Sequence, residues 1–87
     1  MIEKIVIVKN SQGLHARPSA VLVELAGKFA SDIKIIKDEF EVDAKSIMGI
    51  MMLAAAQGTE LKFVFSGTDE QEACLAIEKI FDEGFNE

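Results

Sequence analysis

Residues 13–19 read Gly13-Leu14-His15-Ala16-Arg17-Pro18-Ser19, and the chain's only histidine, arginine and proline fall within four consecutive positions of that stretch. Pro18 fixes φ and carries no N–H, which suits the first turn of a helix. The residue before a proline is biased away from helical backbone. The stretch therefore predicts a helix opening at Pro18, with Arg17 at or near its N-cap. Downstream, Leu22, Leu25, Ala26 and Phe29 keep the spacing of one helical face. A helix starting here sets an imidazole and a guanidinium beside unpaired amides and the positive end of a helix dipole, a setting that favours an anion. His15 is the side chain best able to act as nucleophile or base near neutral pH. Arg17 is a permanent cation with a planar fork of donors that matches phosphate or carboxylate. Together they suit a phosphoryl group held covalently on the ring, its charge taken up by Arg17 and the free amides. A lone loop histidine is ordinarily just a surface residue; the crowding of three singletons argues for more.

Outward from this stretch, residues 2–8 are rich in β-branched side chains and predict a strand, with Val6 and Val8 on one face and Ile5 and Ile7 on the other. Both faces are apolar, so the pattern does not say which is inside. Residues 33–37 and 40–43 predict two short strands joined by the Asp38-Glu39 break as a hairpin. Ser46 stands before Ile47-Met48-Gly49-Ile50-Met51-Met52-Leu53 and predicts an N-cap to a short helix. That helix is expected to end near residues 54–56, with Gly58 as its stop. Residues 60–66 alternate, Leu61, Phe63 and Phe65 against Lys62 and Ser66, as a fourth strand. Thr68 and Gln71 have the spacing of a capping box for a last helix carrying Ala73, Cys74, Ile77, Ile80 and Phe81, with Gly84 as its stop. The order β-α-β-β-α-β-α predicts an α+β, two-layer fold in which a four-stranded sheet is covered on one face by helices.

Eighty-seven residues make one domain, 1–87. A chain of this length buries roughly 60–65% of its unfolded surface, enough for one core without disulfides. Fifteen acidic against nine basic residues give a net charge of -6. That argues against nucleic acid or an anionic membrane as the main partner. The single cysteine, Cys74, has no internal disulfide partner and reads as a small apolar core residue of a reducing compartment. The first residues lack the pattern of a signal peptide, and the longest apolar run, 47–56, is about half a membrane span. A cytoplasmic, monomeric protein is expected, with no cofactor and no metal site.

The run after Ser46 is apolar nearly all round. Ile50 and Leu53 are expected to point inward. Ile47, Met48 and Met51 lie on another face and form a candidate docking patch together with Ala20, methionine being suited to several partners. The alternative is that all of them are core. Phosphorylation of Ser46 would add about two negative charges where a helix N-terminus tolerates them, opposing acidic partners at the patch without unfolding the chain.

The stretch at 13–18, Lys45-Ser46-Ile47-Met48-Gly49-Ile50, and the element order resemble HPr, the histidine-containing phosphocarrier of the bacterial phosphoenolpyruvate-dependent sugar phosphotransferase system. The resemblance covers essentially the whole chain. It implies an open-faced sandwich of four antiparallel strands and three helices. It implies that His15 is phosphorylated on Nδ1 and that Arg17 assists transfer. Enzyme I would donate, and sugar-specific enzyme IIA domains would accept, so the chain would be a carrier rather than a stand-alone catalyst. Ser46 matches the regulatory serine modified by HPr kinase/phosphorylase in part of that family, which implies a transcriptional regulator as a further partner. Residues 80–87 look more like the nitrogen-related paralogue. Two readings compete: a regulatory binding module acting mainly through the Ser46 surface, and a small acylphosphatase-like hydrolase. An exposed His15 with few protein contacts is expected of a carrier, because a deep pocket would trap the group.

Overall fold

The alternation at 60–66 sets the sheet. In the computed structural model, which describes residues 1–87, Leu61, Phe63 and Phe65 are each fully buried and their alternate neighbours face outward. Strand β4 (Glu60–Ser66) pairs antiparallel on one side with β1 (Ile2–Ile7) and on the other with β2 (Asp32–Lys37); β2 pairs in turn with β3 (Phe40–Asp43), giving the order β1-β4-β2-β3. Because side chains alternate along a strand, register decides the faces. Ile2, Lys4 and Val6 stand opposite Phe65, Phe63 and Leu61, while Ile33 and Ile35 stand opposite Phe65 and Phe63 from the other side. This settles what the sequence left open: Val6 lines the core, and Ile5 and Ile7 lie on the open face, 59% and 46% exposed. Val8, just past β1, is fully buried.

Helices α1 (Ala16–Ala26), α2 (Ile47–Met52) and α3 (Glu70–Asp82) cover the inner face. Their apolar stripes are Leu22 and Ala26; Ile50, followed by Leu53; and Ala73, Cys74, Ile77 and Phe81. Cys74 sits in this core as expected, and burial, with a smaller contribution from nearby Glu78, pushes its thiol up from the ordinary value. Phe29 lies beyond the end of α1 and is half-buried there. The 2–3 hairpin turns through Asp38 at φ 55°, a left-handed conformation that a short polar side chain tolerates.

Four local expectations are corrected. Helix α1 begins at Ala16 with His15 as its N-cap, so Pro18 is the third helical residue and Arg17 is helical. Pro18 still lies in the first turn, where a missing N–H costs no intrahelical bond. Helix α2 is stopped by Ala54 at φ 50° rather than by Gly58. Thr68 and Gln71 form no capping box. Asp69 is the N-cap of α3, and the Glu70 carboxylate takes the Gly67 N–H at 3.1 Å. The Asp69 carboxylate is engaged elsewhere, accepting from the N–H groups of Ala30 and Ser31 at 2.8 and 2.9 Å and from the Ser31 hydroxyl. It fastens the loop between α1 and β2 to the start of α3.

After α3, Gly84 at φ 59° turns the chain into a 3-10 turn, Gly84–Asn86. Phe85 is buried there, its ring 4.9 Å edge-on from Phe81, which lies 5.4 Å edge-on from Phe63. Such edge-to-face pairs add to the area they bury. An aromatic row thus runs from the middle of the sheet to the last residues described, and holds them beside the N-terminus of α1. No helix is long and apolar enough to cross a membrane.

Candidate functional site

The loop that carries His15 is tied down group by group. Asn10 is buried, and its side-chain amide donates to the Gly13 carbonyl. The Leu14 N–H donates to the Ala55 carbonyl at 2.8 Å, and Leu14 itself is buried. The Leu14 carbonyl accepts from the buried Ser19 hydroxyl at 3.0 Å, and the His15 carbonyl accepts from the Ser19 N–H at 3.0 Å. Gly13 at φ 68° passes so close to the Ala55 carbonyl that a Cβ would overlap it. The loop is thereby fixed against the segment between α2 and β4, and the N-cap is presented in a single geometry.

His15 has extended backbone, φ -75° and ψ -170°, and its side chain is 35% exposed. The ring is neither sealed in the core nor free. Its Nε2 lies 3.2 Å from both carboxylate oxygens of Glu87, while Nδ1 makes no hydrogen bond. The N–H groups of Ala16 and Arg17 precede the first intrahelical bond and have no acceptor in the chain. Arg17 is exposed and makes no ion pair. His15, Arg17, Ser11, Gln12, Asn86 and Glu87 line one open depression. An imidazole nitrogen without a hydrogen-bond partner, a guanidinium and two unpaired amides at a helix N-terminus can attack an electrophilic phosphorus and hold the resulting anion. No cluster of His, Cys, Asp and Glu side chains has the spacing of a metal site.

Glu87 is the participant that the sequence reading missed. It lies 72 residues from His15 along the chain, with no motif around it. Hydrogen bonding from His15, aided by Asn10, holds its carboxyl below the usual carboxylate range. The expectation that His15 makes few protein contacts holds for Nδ1 and fails for Nε2.

A second surface surrounds Ser46. Its hydroxyl caps α2 by accepting the Gly49 N–H at 3.1 Å. Ile47, Met48 and Met51 are exposed, as is Met52, while Ile50 and Leu53 are buried. Ala20 is exposed on α1, which packs against α2. Lys45 is engaged with the Phe29 carbonyl at 2.8 Å, so its ammonium does not stand free beside Ser46.

Residues 2–83 match the family model described as the PTS HPr component phosphorylation site. The chain belongs to the HPr family, the phosphocarriers of the phosphotransferase system. The HPr of Treponema pallidum is 47% identical over 87 residues, which span 100% of this chain and 99% of that protein. The crystal structure of HPr from Thermoanaerobacter tengcongensis superposes with a TM-score of 0.97 at 46% identity, covering 100% of this chain and 98% of that one. Crh of Bacillus subtilis, an HPr-like catabolite repression protein solved as a swapped dimer, superposes with a TM-score of 0.77 at 43% identity, covering 97% of each chain. The antiparallel sheet with three covering helices is thus the HPr architecture, and the site just described lies within an HPr fold.

Proposed function

We propose that this HPr-family chain accepts a phosphoryl group on Nδ1 of His15 from phosphorylated enzyme I and passes it to enzyme IIA domains. The observation that carries this reading is the open Nδ1 of a half-exposed N-cap histidine, set beside Arg17 and the unpaired amides of Ala16 and Arg17. Arg17 stabilises the phosphoryl oxygens during transfer. The shallow, open setting fits a relay, since moderate stabilisation leaves the phosphoramidate reactive. In this reading the chain works in the cytoplasm on its protein partners, as a monomer.

Incubation with phosphoenolpyruvate and enzyme I should give an acid-labile, base-stable adduct that His15→Ala abolishes. Labelling retained in His15→Ala would refute the assignment. Ser46 is the regulatory site of this reading, a target for HPr kinase/phosphorylase. Charge there opposes docking of acidic partners at Ile47, Met48, Met51 and Ala20. Ser46→Asp should slow transfer from enzyme I, and an unchanged rate would remove the charge argument.

The likeness to Crh favours a second reading, a regulatory module that binds a transcription factor through the Ser46 surface. In that case the Ser46-phosphorylated form binds its regulator while His15 transfer is negligible. A nitrogen-type carrier would instead keep His15 transfer but use different acceptors.

A further inference from the structure

The chain has four methionines, and none of them belongs to its core. Methionine is ordinarily one of the more buried residues, because its side chain is apolar. Here Met48, Met51 and Met52 are 72%, 43% and 71% exposed, and all three stand on α2. Met48 precedes Met51 and Met52 by three and four residues, the spacings that make neighbours on a helix surface. The fourth, Met1, is exposed ahead of β1, where its amine pairs with the Glu70 carboxylate at 3.0 Å. Strand β1 forms one edge of the sheet, and α2 packs against β3 at the other. The single cysteine offers no rival sulfur. Cys74 is buried and its thiol is held protonated, whereas oxidants react with an accessible thiolate. Accessible sulfur in this protein is therefore concentrated on one face beside Ser46.

We propose that Met48, Met51 and Met52 are a reversible oxidation site, at which hydrogen peroxide turns the apolar surface of α2 polar and weakens docking of protein partners. The proposal rests on the phosphocarrier reading and adds a regulation of its docking patch. A lone pair on the thioether sulfur attacks one peroxide oxygen and the O–O bond breaks. The sulfur gains an S–O bond and is oxidised by two electrons. The other peroxide oxygen takes up the proton and leaves as water. Methionine sulfoxide reductases, one for each sulfoxide epimer, reverse the change. In that step two thiols are oxidised to a disulfide and the sulfoxide oxygen leaves as water.

The consequence is confined to the surface. Sulfoxides disrupt a protein when they form in its core, and this core has no methionine to oxidise. Helix α2 is held by groups that peroxide leaves alone. Ile50 and Leu53 are buried beneath it, the Ser46 hydroxyl caps its start, and the Lys37 ammonium donates to the Leu53 carbonyl at 2.9 Å at its end. What changes is the face offered to a partner. A flexible apolar side chain that repacks against several surfaces becomes a polar one whose oxygen needs a donor.

The test compares the chain before and after treatment with hydrogen peroxide. Peptide mass spectrometry should find one added oxygen at each of Met48, Met51 and Met52. In transfer from enzyme I with phosphoenolpyruvate, the KM for the treated chain should rise by about tenfold, the scale of burying one polar group without a partner. The kcat and the melting midpoint should stay where they were, since His15 and the core are untouched. Methionine sulfoxide reductases with dithiothreitol should bring the KM back. The variant Met48→Leu/Met51→Leu/Met52→Leu is measured against its own untreated value. Its KM should not move with peroxide, although Met1 still takes up oxygen. An unmoved KM in oxidised wild type, an equal rise in the triple variant, or a loss traced to kcat or to unfolding would each overturn the proposal. So would the three methionines staying unmodified while Met1 reacts. Loss of the phosphocarrier reading would look different: the untreated chain would take no label on His15, while the sulfoxides would still form.

Discussion

At the scale of single residues, the site depends on backbone that few side chains can adopt. Gly13 combines a left-handed φ of 68° with an approach to the Ala55 carbonyl that excludes a Cβ. Gly13→Ala should therefore destabilise the fold by about 1–3 kcal/mol. It should also disturb the Leu14-to-Ala55 bond that seats the His15 loop, lowering the rate of phosphorylation by more than the stability loss explains. Denaturant titration and transfer assays on one preparation check both. Ala54 presents the opposite case. It occupies φ 50° at the end of α2 on an exposed turn, where L-residues are strained and glycine is the usual helix stop. Ala54→Gly should raise stability by about 1 kcal/mol, read as a higher denaturant midpoint with no change in slope.

At the scale of elements, the start of α3 does more than begin a helix. Asp69 holds the Ala30 and Ser31 amides and the Ser31 hydroxyl, so α3 and the loop before β2 are one unit. These bonds, led by the Ser31 hydroxyl, keep its carboxyl below the usual aspartate value. A depressed folded-state pKa contributes stability that is fully present above the ordinary aspartate range and is lost as pH falls through the folded value. Asp69→Asn should thus melt lower than wild type at neutral pH, and the gap should narrow on acidification through the carboxylate range. Melting curves across that range check it; a gap of constant size would show that the charge is not what matters. The helix boundaries follow the same logic of nearest available partner. Ser46 caps α2 as its sequence suggested, because the acceptor and its donor lie three residues apart. Thr68 does not cap α3, because the helix opens one residue later, with Asp69 at the N-cap position and its carboxylate taken up by Ala30 and Ser31 instead of by the helix.

At the scale of the whole molecule, one aromatic row links the sheet centre to the site. Phe63, Phe81 and Phe85 stack edge to face from β4 through α3 to the closing turn. Phe81→Ala should cost about 3–5 kcal/mol, as large-to-small core changes do. It should also free the turn, so that the contact between His15 and Glu87 is lost in NMR spectra before the sheet unfolds. A variant that keeps that contact up to the global transition would show that Phe85 holds the turn without help from Phe81.

Much of this was legible from the chain alone. The alternation at 60–66, the helical spacing of Leu22 and Ala26 and of Ala73, Ile77 and Phe81, and the serine cap of α2 depend on neighbours a few residues away. Backbone sterics and side-chain periodicity act over that range, so order, element type and the grouping of His15 with Arg17 could be read directly. The exact opening of α1 was hidden, because the bias against helix before proline was overridden once Ser19 and Leu14 tied the loop. Which face of β1 is inside was decided only by its register against β4. The carboxylate of Glu87 reached His15 only through folding across a sequence separation of 72 residues. Contacts of that kind are set by packing of distant elements on a shared core, and no local pattern of residues encodes them.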